Sequence, residues 1–330
     1  MNTFGERVKI TIFGEAKGPA VGAVLDGLPY GEEIDSERIA LDLAYRAAGM
    51  NEVGGDQDLD EPAVSSGLLE GRTTGAPLCI LIRRPGAEYV STMPGNIPRP
   101  GHGDLTSRVR FGGFADTRGG GVNSGRLMSA VVAAGSVCRQ ILERRGILIE
   151  ARVVQIGKAR SSEIDYAMKK ELLDARASGD SVGGVIQCTA SGVPAGLGGL
   201  MFGSVESKLS SVLFAVPGVR GVEFGAGFEI AEMRGSQAND PICINEGRIF
   251  TETNHAGGIN GGITSGMPLV VRCAMRPTPS ISREQRTVNL ETLENTTVRI
   301  RGRNDPCLAP RAVPVIEAAV ALCLMDIMVE

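Results

Sequence analysis

The chain has 330 residues, 42% of them hydrophobic, with a formal net charge of −4 and no tryptophan. That length and apolar share suffice for a large core, in one big domain or two modest ones. The near-neutral charge and the scarcity of aromatic rings exclude a general basic field for nucleic acid and a stacking platform for single strands.

The amino terminus, MNTFGERVKITIFGE, has no signal-peptide apolar region, and no run is long enough to span a bilayer. A soluble, cytoplasmic protein is therefore expected. Segments 7–13 and 20–26 alternate like short strands around the turn GEAKGP. Residues 36–48 carry a helical pattern, with Ser36 as the expected N-cap and Gly49 as the stop. The acidic stretch 51–62 reads as a loop and 77–84 as an apolar strand. A long helix is expected over 124–145, its small residues permitting close packing, followed by a strand over 147–157. A more exposed helix over 162–177, a strand over 182–190, a helix near 204–215 and strands at 218–224 and 268–275 come next. The terminal helix, 311–328, is apolar on most sides and so should be buried. Because strands and helices do not alternate as βαβ units, the expectation is an α+β layered fold, a single domain over residues 1–330.

The 45 glycines follow no fixed period but gather at 101–125, 192–203, 218–227 and 257–266, which suggests tight turns or close backbone approach to a ligand. Arginine greatly outnumbers lysine. That bias suits anionic small ligands, although a GC-rich genome would produce it equally well. Seven cysteines (Cys79, Cys138, Cys188, Cys243, Cys273, Cys307, Cys323) show no metal spacing and read as reduced core residues, with no metal expected.

Only His102 and His255 can supply an imidazole. His102 lies in RPGHGD, shortly before the glycine-rich TRGGGVNSGR flanked by Arg118 and Arg126. A glycine turn opening a helix offers backbone N–H groups to a phosphate, but such turns are also common as plain structure. In RGRNDPCLAPRAVPV, Arg301, Arg303 and Asp305 precede the terminal helix, where they can clamp an anion and act as a base, or merely cap a loop. NHAGGINGGITSG and RPTPS (276–280) suit close approach to a planar or phosphorylated ligand, and a tight turn explains them nearly as well.

In combination and order, these segments resemble the chorismate synthase family. The resemblance runs nearly the whole chain through FGEAKGPAVGAVLDGLP, SSGLLEGRTTGAPLCILIR, RPGHGD, RGGGVNSGR, VPGVRGVEFGAGF, MRGSQAND, NHAGGINGGITSG, RPTPSI and GRNDPCLAPRAVPVIEA. It implies a helical layer packed between antiparallel β-sheets, a homotetramer, and a lyase. The reaction implied is removal of phosphate and a proton from 5-enolpyruvylshikimate 3-phosphate to give chorismate, with reduced FMN. By position, His102 matches the histidine beside the flavin and Asp305 the aspartate that assists proton transfer. Arg46, Arg126 and Arg303 match the anion-binding surface. The implied flavin-binding positions are Val122, Asn123, Ser124, Gln237, Ala238, Gly261, Arg276, Pro277, Thr278, Pro279, Ser280 and Arg303.

The chain departs from the family pattern at several of these places. Where GESHG is usual it has Gly14, Glu15, Ala16, Lys17, Gly18, so Lys17 replaces the second catalytic histidine. RRRPG becomes Arg46, Ala47, Ala48, Gly49, and in the GGGRSSARE loop Val122 replaces an arginine, Asn123 a serine and Leu127 a glutamate. Asn304 stands where histidine is common. Three readings follow: a chorismate synthase with an altered site, an FMN-binding paralogue acting on a less anionic substrate, or a non-catalytic assembly subunit. The extent of the framework match favours the first.

Overall fold

The computed structural model describes residues 2–49, 60–83, 95–300, 302 and 304–329. Two five-stranded sheets, antiparallel at every pairing, enclose a layer of helices. The first sheet runs Thr3–Phe4, Lys9–Gly14, Val21–Asp26, Leu78–Arg83, Glu61–Ser66. The second runs Val219–Phe224, Leu269–Met275, Gly184–Ser191, Leu148–Ile156, Ala159–Arg160. Burial alternates along Leu78–Arg83, Gly184–Ser191 and Leu269–Met275, which leaves each sheet one face for the helices.

The helices are α1 (Ser36–Ala48), α2 (Asp104–Arg110), α3 (Met128–Arg144), α4 (Tyr166–Ala177), α5 (Val205–Phe214), the single turn α6 (Gly235–Ala238) and α7 (Ala309–Met328). α3 lies on the first sheet, α7 on the second, and the two pack against each other. Gly135 permits that contact: a Cβ there would stand 2.3 Å from the Cβ of Ala318. α7 is buried continuously from Ala312 to Asp326, as a helix with packed neighbours on all sides must be. Its Asp326 also fixes the amino terminus. One carboxylate oxygen accepts the backbone N–H of Glu6 (2.8 Å), Arg7 (2.8 Å) and Val8 (3.0 Å). From that anchor, the strands Lys9–Gly14 and Val21–Asp26 carry the loop that holds Lys17.

Most expected elements form, with shifted ends. Asp35, not Ser36, caps α1: its backbone is extended and its side chain accepts the Glu37 N–H, while Gly49 ends the helix at φ 48°. α3 begins at Met128 rather than Ser124, because Ser124 is itself extended and caps a separate 3₁₀ turn, Gly125–Leu127. α4 opens only at Tyr166, behind an Asp165 cap, and α7 starts at Ala309 because Pro310 suits a first helical turn. Glu61 and Pro62, read as loop, open the edge strand Glu61–Ser66, where proline removes no ladder bond that the sheet needs. The rest of that loop, 51–59, and residue 84 lie outside the described residues. Five cysteines are buried, but Cys79 and Cys243 are only partly so, which corrects their reading as core. No described helix is long and apolar enough to cross a membrane.

Candidate active site

Three consecutive glycines shape one wall. Gly119, Gly120 and Gly121 have φ of 60°, 92° and 52°, so the 3₁₀ segment Arg118–Asn123 bends where a right-handed helix cannot continue. Gly121 O accepts the Ala16 N–H at 3.1 Å, which fastens the 14–18 loop to this turn. Arg126 reinforces the joint, with Nη1 donating to Ala16 O at 2.7 Å and to Gly18 O at 3.4 Å. Lys17 lies against the turn: a Cβ on Gly119 would meet its Cε at 3.0 Å. Arg46, 7% exposed, donates to Gly125 O at 2.9 Å and pairs with Asp60 at 3.5 Å. These bonds of Arg46 and Arg126 to protein groups brace the loops.

His102 sits in the adjoining loop, ahead of α2. Asp104 clamps that loop by accepting from Arg99 Nε at 2.7 Å, Nη2 at 2.8 Å and the Arg99 backbone N–H at 3.0 Å. Burial pushes the Asp104 carboxyl up, but those Arg99 bonds outweigh it and leave the group below the ordinary carboxylate range. His102 Nδ1 is 3.1 Å from Pro100 O and Nε2 is 2.8 Å from Ser280 Oγ. A carbonyl only accepts, so Nδ1 carries the proton, and in the neutral ring Nε2 accepts from the Ser280 hydroxyl. Burial, followed by the Arg99 charge, holds the His102 pKa below its ordinary value and favours that neutral ring.

Asn123 connects the two loops. Its Nδ2 donates to Ser107 Oγ at 2.5 Å, and a Cβ on Gly103 would come within 2.7 Å of the same atom. From the other side, Arg276 Nη1 donates to Gly101 O at 2.8 Å, and Pro279 lies so close that a Cβ on Gly101 would fall 2.9 Å from it. Thr278 is buried, with its carbonyl accepting from Ser181 Oγ at 2.7 Å. Val182 N donates to Pro306 O at 2.8 Å, which sets the 304–306 segment alongside. Asp305 pairs with Arg311 at 3.0 Å, and Arg311 packs against Gly49 at the end of α1.

The profile of the chorismate synthase family matches residues 8–329. A chorismate synthase of Thermococcus gammatolerans is 44% identical, with 98% of this chain and 96% of that protein covered. One from Methanothermobacter thermautotrophicus is 42% identical over 100% of this chain and 94% of its own length. The crystal structure of a chorismate synthase superposes with a TM-score of 0.77 at 26% identity, covering 98% of this chain and 92% of that one. The chain belongs to the chorismate synthase family.

Of the residues singled out by the family resemblance, Lys17, His102, Val122, Asn123, Ser124, Arg126 and 276–280 are drawn into one connected group, with Arg46 joined to it through Gly125, while Asp305 pairs with Arg311 against the end of α1. Gln237 and Ala238 are not: they form the turn α6, bonded to Arg234. Gly261 lies exposed between the short strands Ile259–Asn260 and Ile263–Thr264. Arg303, like Arg301, lies outside the described residues. Val122 and Asn123 separate a cleft of about 280 Å³, walled by Glu15, Phe111, Phe114 and Asp116, from an apolar groove of about 590 Å³ beside Phe4, Ile12, Met128 and Val212. The sequence reading missed Arg99 and Ser107. An arginine five residues before Asp104 is a visible signal for the clamp, whereas nothing local marks Ser107.

Proposed function

We propose that this chain is a chorismate synthase: a lyase that removes phosphate and a proton from 5-enolpyruvylshikimate 3-phosphate in a 1,4-elimination, giving chorismate with the help of reduced FMN. The observation that carries this is the family match from residue 8 to 329 combined with the convergence of His102, Lys17 and the 276–280 segment in one group. Relatives named chorismate synthase at about this similarity favour it over a paralogue with another substrate.

The residues present suit a flavin. Thr278 Oγ1 and Asn304 Nδ2 are buried without hydrogen-bond partners among the described residues, and Gly101 and Gly103 let Arg276, Pro279 and Asn123 close against the His102 loop. Val122, Asn123, Ser124 and Arg276, Pro277, Thr278, Pro279, Ser280 would hold it, with Gln237, Ala238, Gly261 and Arg303 as further family positions. When bound, reduced FMN supplies electron density to the elimination and is not consumed, since loss of phosphate and a proton is redox-neutral. His102, neutral and oriented by Pro100 and Ser280, can take a proton at Nε2. Asp305, held by Arg311, is the family's proton-transfer carboxylate. Lys17 and Arg126 place positive charge at the glycine turn, which would stabilise the negative charge of a phosphate departing there. Arg46 is assigned to the anion-binding set by family position alone, since its bonds to Gly125 O and Asp60 make it a brace for the loops.

An ammonium stabilises charge but donates a proton less readily near neutral pH than an imidazole. Lys17→Ala should therefore slow anaerobic chorismate formation roughly 10- to 100-fold, the loss of one charge-assisted contact to phosphate. Lys17→His should retain or raise the rate. Parent activity indifferent to both substitutions would remove Lys17 from the mechanism.

We further propose one cytoplasmic domain that assembles as a homotetramer. Buried residues of both sheets and of the intervening helices form one contiguous core, and Leu200, Met201, Phe202, Ile242, Ile244 and Ile249 stand exposed on its outside.

A further inference from the structure

The loop ahead of α5 turns three large apolar side chains in a row toward solvent: Leu200 is 73%, Met201 83% and Phe202 94% exposed. This knob is braced. Gly203 N–H donates to Leu200 O at 3.0 Å and Ser204 N–H to Met201 O at 3.1 Å, while Ser204 Oγ caps α5 by accepting the Ser207 N–H at 3.1 Å. Met201 is held at φ 50°, a left-handed conformation that costs any residue with a side chain. A braced, strained turn that keeps three apolar side chains in water points to contact outside the chain. The knob also belongs to a longer surface. Ser207 Oγ donates to Met201 O at 3.5 Å, and Ser207, Ser211 and Phe214, all exposed and uncharged, follow at helical spacing along one face of α5. Ser211 in turn lines the groove of about 590 Å³, with Val212, Ala215 and Val216 at the carboxyl end of α5, and none of the described side chains lining that groove is charged. Knob and groove thus stand at opposite ends of one ten-residue helix face, roughly 15 Å apart.

We propose that this surface docks a second copy of the chain across a twofold axis at α5, with the two α5 helices antiparallel and the Met201–Phe202 knob of each copy in the groove of the other. The inference rests on the self-assembly reading above and names its interface. A twofold contact needs a self-complementary patch. A projection and a recess at the two ends of one helix meet that need, because reversing the helix exchanges its ends. A foreign partner would use only one of them. The serines between let the two helices approach closely. Size agrees as well: a buried phenylalanine covers about 150–250 Å², so Leu200, Met201, Phe202 and Phe214 with the helix face between them approach the roughly 800 Å² per partner of a stable interface. Val122 and Asn123 wall both this groove and the cleft of about 280 Å³, so the docked knob would stand directly behind the glycine turn.

Light scattering of the full chain at micromolar concentration tests this, with Phe202→Asp in the knob and Ser211→Arg on the helix face at the groove. Each substitution puts a charge where the partner would have to desolvate it, and each should at least halve the particle mass of the parent. Both positions are exposed in the single chain, so circular dichroism should show the parent fold in each variant. A third variant reads the geometry directly. Ser207→Cys with Ser211→Cys places thiols along the shared helix face, and mild oxidation should link two chains through them, which the parent's own seven cysteines should not do. Parent-like mass in both charged variants, or no link between chains in the cysteine variant, would overturn this interface while leaving self-assembly standing. A parent that is itself a monomer removes the assembly reading together with the inference.

Discussion

Gly121→Ala tests whether the glycine turn is required by backbone geometry. The residue sits at φ 52°, ψ −127°, and an added Cβ would lie 1.9 Å from Asp116 O, a main-chain atom with little room to give. Backbone strain at such a position costs about 1–3 kcal/mol. Relieving the clash would also break the Ala16 N–H to Gly121 O bond, worth about 0.5–1.5 kcal/mol net. Together these give a destabilisation of about 1.5–4.5 kcal/mol. The matched control is Gly125→Ala, which has no positive φ and would meet nothing within 4 Å. It should stay within about 0.5 kcal/mol of the parent. Denaturant unfolding of the parent and both variants reads the stability, and FMN titration reads the displaced turn. Two variants with equal, parent-like stability and flavin affinity would refute the argument.

Two other predictions follow from the same geometry. Because burial and Arg99 lower the His102 pKa, the unfolded chain, titrating near its ordinary value of about 6.5, binds the proton more readily. The stability from the neutral ring is thus fully present above about pH 6.5 and is lost as pH falls through the folded-state value. His102→Gln should flatten that part of the pH–stability curve, and an unchanged curve would show that another group is responsible. Light scattering at micromolar concentration should find a tetramer, and a stable monomer would contradict the assembly proposed for the exposed apolar residues.

Periodicity made most of the framework legible, since strands such as Leu269–Met275 and helices such as α7 must turn one pattern of apolar residues toward the core. It did not reveal the hairpins Ile242–Asn245 with Arg248–Thr251 and Gln285–Asn289 with Glu294–Val298, whose mostly exposed or half-exposed residues leave little burial pattern to read. Helix starts were misplaced where a cap competes with its neighbour, as Asp35 does with Ser36, because the choice depends on which residue is extended. At the site, resemblance singled out His102 and 276–280, but their juxtaposition depends on long-range contacts such as His102 with Ser280. The brace from Arg46 to Gly125 O was equally out of reach, since it joins residues 79 apart in the chain.

The central claim concerns chemistry, and product analysis under anaerobic conditions tests it most directly. Parent protein given 5-enolpyruvylshikimate 3-phosphate and reduced FMN should form chorismate and inorganic phosphate in equal amounts, over many turnovers and without net oxidation of the flavin. Flavin-saturated protein that releases neither product, or releases phosphate without chorismate, would contradict it.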